Sequence, residues 1–272
     1  MTRSSPKSNG YVRLVASDLD GTLLRSDGSV SRRTLEALER TVAAGIRFLL
    51  VSARSADWLI PEVARLGAGE IAICNNGALV YDVKARRVLI HRPLEPKTAS
   101  DLARRLREAA PGVAFGCDRP SGFSAEPAYR PLHRPPDSIP RADLPALLAE
   151  PITKLVLQHP DLPQADLHRL VSELGHGQIE ACYSGAGLVE VAAAGVTKGA
   201  ALAELCDELE IGRGEAIAFG DMLNDISMLE WAGRGVAVAN AHAEVLAVAD
   251  EVTASNDEDG VALVLETLVA AC

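Results

Sequence analysis

An α/β fold, a doubly wound parallel sheet interrupted by a second, α+β domain, is what the order of apolar segments predicts. Near-continuous apolar segments alternate with amphipathic stretches at both ends of the chain, the pattern of a parallel sheet covered on both faces. The middle breaks that alternation. Eight of the 15 prolines fall between Pro111 and Pro145, where neither a central strand nor a helix interior would tolerate them.

Residues 12–16 are apolar and β-prone and predict the first strand, followed by a turn-rich stretch over 18–28. Ser31 opens an amphipathic helix in which Leu35, Leu38 and Val42 keep helical spacing, and Gly45 ends it. Residues 46–51 read as a buried strand. A short helix from Ser55, broken or kinked by Pro61, leads to the strand 71–74 and the turn Asn75-Asn76-Gly77. In the middle, helices over 97–109 and 164–174 and a strand over 154–158 surround a loop-rich segment, enough for a small inserted domain drawn at 83–185. Residues 1–82 and 186–272 then form the core. The core resumes with a helix over 198–209, a strand over 216–219, a short helix over 225–231, a strand over 236–238, a helix over 242–248 and a last helix from Gly260.

Composition narrows the function. The 272 residues suit one large domain or two modest ones, and 48% hydrophobic with 24% charged residues excludes a disordered, collagenous or coiled-coil chain. A formal charge of −10 repels phosphate backbones and anionic lipid, and 4% aromatics leave little for base stacking, so neither nucleic acid nor membrane is expected as a partner. The acidity is uneven: the insertion carries +2 and the core −12, which suits a mildly positive domain closing over an acidic site that takes an anion. Five scattered cysteines (Cys74, Cys117, Cys182, Cys206, Cys272) form neither a disulfide framework nor a zinc pattern and fit a reducing compartment. The amino-terminal stretch has no apolar targeting core and no run approaches the ~20 apolar residues of a span, so a cytoplasmic protein is expected. Arginines outnumber lysines 22 to 5, which draws attention to each lysine.

The sharpest feature is DLDGTLL, residues 18–24, directly after an apolar strand. Asp18 and Asp20 at i and i+2 project to one side at a strand's carboxyl end, where open α/β sheets bind ligands. Gly21 permits a tight turn, and the following amides with Thr22 can face an anion. Alone this is equally a turn rich in Asp and Gly because turns are. Three further elements follow in order. Ser52 ends the second core strand, although a lone Ser there also reads as a helix cap. Lys198 sits at a helix start, where the helix dipole disfavours a cation unless an anion is near, although alone it also reads as a surface lysine. The segment Gly220-Asp221-Met222-Leu223-Asn224-Asp225 follows a strand, with a bland reading as capping.

Together these residues resemble the haloacid dehalogenase (HAD) superfamily, whose motifs are DxDGT, a Thr or Ser, a Lys, and GDxxND. The order is similar to the Cof-type, sugar-phosphatase-like branch, as is the tail ASNDEDGVALVLETL from Ala254. Ala53 departs from the Gly common in the family after the second motif. The resemblance implies a Rossmann-like core. With 34 residues from Asp18 to Ser52 and 146 from Ser52 to Lys198, the insertion falls between the second and third motifs, which the resemblance identifies as a C2B cap. It further implies a phosphatase that hydrolyses small phosphate monoesters through an aspartyl-phosphate: Asp18 as nucleophile and Asp20 as acid and base. Mg2+ would be held by the Asp18 side chain, the Asp20 carbonyl and the Asp221 side chain. Ser52, Lys198 and Asn224 would hold the phosphoryl oxygens, Asp225 would support the metal or orient Lys198, and Gly21 and Thr22 would shape the turn. Asn76-Gly77 stands both as a turn signal and as a candidate at the site's edge.

Three alternatives stay open: a phosphomutase, a receiver-like switch, and a silent phospho-ligand-binding relative. The partner expected is a small phosphorylated metabolite such as a sugar phosphate, pyridoxal phosphate or flavin mononucleotide, with the chain a monomer or small homo-oligomer. His91, His133, His159, His168 and His176, with the proline-rich segment, are candidate discriminators of substrate.

Overall fold

The structure, a computed structural model, describes residues 11–67, 69–131, 138–183 and 187–270. His133, Gly185 and Cys272 lie outside them. The chain forms two compact units, one of residues 1–89 with 197–272 and one of residues 90–196.

The first unit begins with β1 (Leu14–Ser17), α1 (Arg32–Ala43), β2 (Arg47–Val51), α2 (Ala56–Leu66), β3 (Ile71–Cys74) and β4 (Leu79–Asp82). In β5 (Arg87–His91) the chain passes into the second unit, made of α3 (Pro96–Ala109), β6 (Ala114–Arg119), β7 (Gly122–Ala125), α4 (Leu144–Leu147), β8 (Lys154–Gln158), α5 (Gln164–Gly175), β9 (Ile179–Cys182) and β10 (Val189–Ala193). It returns through α6 (Lys198–Glu208), β11 (Ala216–Gly220), α7 (Ile226–Trp231), β12 (Arg234–Ala237), α8 (Ala243–Val248), β13 (Glu251–Val252) and α9 (Gly260–Ala270).

Among the described residues the larger sheet has the order β13-β12-β11-β1-β2-β3-β4-β5, parallel from β13 to β3 and turning antiparallel at β4. Its central strands are buried on both faces, which is why they read as unbroken apolar runs. The chain leaves β1 toward β2 and later returns to β11 on the other side, so the strand order reverses at β1. Open α/β sheets bind ligands beyond the carboxyl ends of the strands at such a point.

The second unit carries an antiparallel sheet, β7-β6-β8-β10-β9. Phe115, Cys117, Leu155, Leu157, Val189 and Val191 cluster with Leu102 and Leu106 of α3 and Leu167 and Val171 of α5. Alternate residues of these strands share that core, as the period of two requires. The proline-rich segment is therefore not all loop: it opens with the β6–β7 hairpin, and Pro120 lies in the two-residue connection where no ladder N–H is needed. The strand β10 pairs with β8 and β9. The second unit thus runs to Val196, whereas the sequence drew the insertion at 83–185.

Two helices differ from expectation. The buried face of α1 is Thr34, Ala37, Leu38 and Thr41, while Val42 is exposed; Thr41 tolerates burial because its hydroxyl donates to the Ala37 carbonyl at 2.8 Å. And α2 continues through Pro61, whose missing N–H would have bonded to the Asp57 carbonyl in the first turn, so a single ladder bond is forgone.

Cys74, Cys117, Cys182 and Cys206 are free thiols, and burial pushes Cys117 and Cys206 up to about 12. Among the described residues no helix is long and apolar enough to cross a membrane.

Candidate active site

The carboxyl ends of β1 and β11 and the first turn of α6 meet around one ammonium. Lys198 is 1% exposed, and its Nζ donates to Asp18 Oδ1 at 2.6 Å and to Asp225 Oδ1 at 2.5 Å. Thr197 caps α6 by accepting from the Ala200 amide at 3.1 Å, which starts the helix at Lys198 and aims that side chain inward. Burial pulls a lysine toward neutrality, but the two carboxylates outweigh it and hold the ammonium charged. Two of its three N–H donors are spent on them, leaving one for a ligand.

Asp225 is wholly committed: Oδ1 takes Lys198, and Oδ2 accepts from the Asp221 and Met222 amides, both at 3.0 Å. Gly220 makes room for this loop, since a Cβ there would stand 2.4 Å from the Asp225 Cβ. Asp221 has one oxygen engaged, Oδ1 accepting from the Thr22 hydroxyl at 2.7 Å. Burial, aided by the charge of Asp225, pushes Asp221 up to about 6. Burial also raises Asp18 well above the usual carboxylate range against the lowering pull of Lys198.

Carboxylate oxygens of Asp18, Asp221 and Asp225 lie within 4.8 Å of one another, three acids against one ammonium in a buried place. Such a surplus favours a divalent cation with hard oxygen ligands. The space also fits one: Gly21, at φ +85°, leaves open the position beside Asp221 Oδ2 that a Cβ would fill at 2.5 Å. Asp225 has no oxygen to spare, so the side chains that could hold Mg2+ are Asp18 and Asp221.

The remaining predicted residues sit in two smaller arrangements. The Asp20 carboxylate, half exposed, is not in the buried network; Arg54 forks it, Nε to Oδ2 at 2.7 Å and Nη2 to Oδ1 at 2.5 Å. Ser52 is buried and caps no helix, because α2 starts later, behind Ser55. Its hydroxyl accepts from the Arg54 amide at 3.1 Å, leaving its own hydrogen to donate. Asn224 donates through Nδ2 to Asn76 Oδ1 at 2.9 Å.

Sequence reasoning passed over Arg54, although it stands two residues after Ser52. It also passed over the brace beneath the DLDGTLL turn. Asn240 Nδ2 donates to the Gly21 carbonyl at 2.8 Å, and its Oδ1 accepts from the Asn256 amide at 2.9 Å. Asn256 Nδ2 reaches the Leu24 carbonyl at 2.9 Å, Asp257 takes the Ser26 amide and hydroxyl, and Asp259 takes Arg25. The carboxyl-terminal SNDED run was the available signal.

The histidines named as discriminators that fall within the described residues make local bonds: His91 to Thr153, His159 to the Pro111 carbonyl, and His168 to the Ala181 carbonyl, while His176 ends α5 in the left-handed region.

The sequence matches the family of haloacid dehalogenase-like hydrolases over residues 15–265. It is 33% identical over 264 residues to the pyridoxal phosphate phosphatase YbhA of Escherichia coli (strain K12), spanning 92% of this chain and 96% of that protein. Among solved structures, a haloacid dehalogenase-like hydrolase from Bacteroides thetaiotaomicron matches with a TM-score of 0.77 at 27% identity, over 94% of this chain and 99% of that one. The subclass IIB sugar phosphatase BT4131 matches with a TM-score of 0.80 at 22% identity, over 94% and 98%, a likeness of fold.

Proposed function

The chain belongs to the haloacid dehalogenase-like hydrolases, and from that membership we propose a Mg2+-dependent phosphatase of small phosphorylated metabolites that works through an aspartyl-phosphate. As a phosphoric monoester hydrolase it must bring a carboxylate nucleophile up to a dianion. The observation that carries the reading is the buried Lys198 bonded to Asp18: the nucleophile is held beside a fixed cation in a water-poor site.

Asp18 attacks phosphorus, and its ester to the phosphoryl group forms as the alcohol leaves. Asp20 gives the leaving oxygen its proton and later takes one from the water that opens the acyl-phosphate. The remaining Lys198 donor, the Ser52 hydroxyl and Asn224 Nδ2 hold the phosphoryl oxygens. Asp225 fixes Lys198 and the backbone at Asp221. Asp18, Asp221 and the Asp20 carbonyl would hold Mg2+, which supplies charge that offsets repulsion between carboxylate and phosphate. Thr22 orients Asp221 for this.

The unit 90–196 is read as the cap that selects the alcohol. The substrate class follows the similarity to a pyridoxal phosphate phosphatase: a phosphorylated metabolite of about that size, pyridoxal phosphate or a sugar phosphate. Such a substrate and the free thiols fit the cytoplasm.

The test is phosphate release with and without Mg2+ over pyridoxal phosphate, hexose phosphates and flavin mononucleotide. Mg2+-dependent release from at least one is expected, with Asp18→Asn lower by about a thousandfold or more and folded. Substantial Mg2+-dependent turnover in Asp18→Asn would remove the nucleophile assignment.

A further inference from the structure

The turn after β3 does more than reverse the chain. An Asn-Gly turn between antiparallel strands accounts for left-handed backbone, and here Asn75, Asn76 and Gly77 have φ of +52°, +56° and +101°. Hairpin turns, however, are normally solvated, whereas Asn75 and Asn76 are 1% and 5% exposed. Left-handed backbone at consecutive non-glycine residues is strained, and asparagine bears it better than most. A buried, strained turn of this kind needs surroundings that hold it.

Those surroundings are the other parts of the site. The Asn75 amide donates to the Arg54 carbonyl at 2.9 Å and the Asn76 amide to the Ser52 carbonyl at 3.1 Å. Gly77 lies against the residue before Lys198, for a Cβ there would stand 2.3 Å from the Thr197 carbonyl oxygen. The Asn76 side chain presents Oδ1 to Asn224 Nδ2. A carboxamide oxygen can only accept, so it dictates which edge of the Asn224 amide faces it. With one N–H spent on Asn76, the second N–H of Asn224 remains to donate. The Asn224 oxygen is buried with no donor, so nothing else among the described residues fixes that oxygen.

We propose that Asn76 is a positioning residue for phosphate: it locks the Asn224 amide with its N–H toward the phosphoryl oxygens and pins the Ser52 backbone from the other side. Without the Asn76 oxygen, the Asn224 amide is free to rotate and turn its lone pairs toward an anion. This rests on the phosphatase reading, and specifically on Asn224 as a phosphoryl ligand.

The experiment measures competitive inhibition by inorganic phosphate in the full chain with Mg2+, together with the melting temperature of each variant. Asn76→Gly keeps the left-handed backbone and removes the oxygen; Asn76→Asp keeps an accepting oxygen. Asn76→Gly and Asn224→Ala are each expected to raise the inhibition constant about tenfold, the size of one hydrogen bond to a charged group. The double variant should be no worse than Asn224→Ala, since Asn76 acts through Asn224. In the Asn76→Asp background Asn224→Ala should still cost its full factor, an arm that stands even if Asn76→Gly folds poorly.

The proposal is overturned by an unchanged constant in folded Asn76→Gly, by effects that multiply to about a hundredfold in the double variant, or by no cost of Asn224→Ala in the Asn76→Asp background. Unaltered phosphate inhibition in Asn224→Ala alone would remove Asn224 from the site and this role with it, while the Asp18→Asn result decides the phosphatase reading separately.

Discussion

Both compact units bury a lysine against acid, and they do it differently. In the second unit Lys154 on β8 donates to Glu190 on β10 at 2.5 Å, and the buried Asp118 opposite it on β6 also favours its charge, all three side chains in the middle of a sheet. In the first, Lys198 stands at a helix start, bonded to Asp18 and Asp225 with Asp221 close by, beyond the ends of parallel strands. A buried ion pair is by itself weak grounds for either stability or function. What sets Lys198 apart is its place beyond the strand ends, the third carboxylate close by, and the backbone amides that hold Asp225 while leaving oxygens of Asp18 and Asp221 uncommitted. The candidate site is marked by carboxylate oxygens left uncommitted, not by a charge buried.

The comparison breaks most readily at Lys198. Lys198→Met should lower phosphate release by about a thousandfold or more and, by leaving Asp18 and Asp225 facing each other unpaired, cost about 3 kcal/mol in urea denaturation without Mg2+. Near-normal turnover would put Lys198 in the same category as Lys154. Next in size is Asp20→Asn, which tests charge at the rim of the network. Turnover of an alkyl phosphate should fall about a hundredfold and that of an activated aryl phosphate about tenfold or less, because only the poor leaving group needs its proton. Equal losses would argue against the acid role.

The charge surplus itself can be titrated. Asp221 is raised from the ordinary 3.8 to about 6, so the folded chain holds this proton more tightly than the unfolded one. The contribution from Asp221 is therefore favourable below the unfolded value and is lost as pH rises through about 6. Above that pH the ionised group favours a cation instead. Mg2+ at about a hundred times its dissociation constant should raise the melting temperature by about 5 to 10 °C at pH 7.5 and progressively less as pH falls through 6. A Mg2+ shift of equal size at pH 5 and 7.5 would contradict the assignment of Asp221 to the metal.

The smallest effect belongs to the second unit. Lys154→Met alone, which takes the cation away from the buried Glu190 and Asp118, should cost about 3 kcal/mol, and Lys154→Met with Glu190→Leu should cost less, because one of the two carboxylates is removed with it. The double variant should keep turnover of a small aryl phosphate within about threefold. Loss of that turnover would show that the second lysine also serves the chemistry.

Much of the site was legible because its residues announce themselves locally. A strand ending in DLDGT, a scarce lysine at a helix start and GDMLND after a second strand each stand at an element's end, and the fold brings those ends together. Arg54 and Asn76 were harder to read because their roles exist only through residues far away in sequence, Asp20 for one and Asn224 for the other. The β6–β7 hairpin is hidden for a different reason: proline density is a property of a window, while the prolines stand at the hairpin's margins and in its connection. The sequence drew the insertion's end at 185, ahead of Val189 and Val191, whose strand pairs with β8 and β9 of the second unit. Only that pairing assigns the strand to the insertion. Val42 keeps helical spacing yet faces solvent, since the register of α1 is set by Leu38 and by two threonines that periodicity counts as polar.

The brace beneath the DLDGTLL turn gives the molecule a timetable. The turn leaves a ribosome 199 to 234 residues ahead of Asp221, Asn240, Asn256, Asp257 and Asp259, the side chains that clamp it. Domains tend to acquire structure as they emerge, yet the turn that bears Asp18 and Asp20 in a nascent chain lacks these clamps until those residues follow. A chain released before them carries the DLDGT motif without its buried acid cluster, and the arrangement around Lys198 comes into being only when both halves of the first unit have been made.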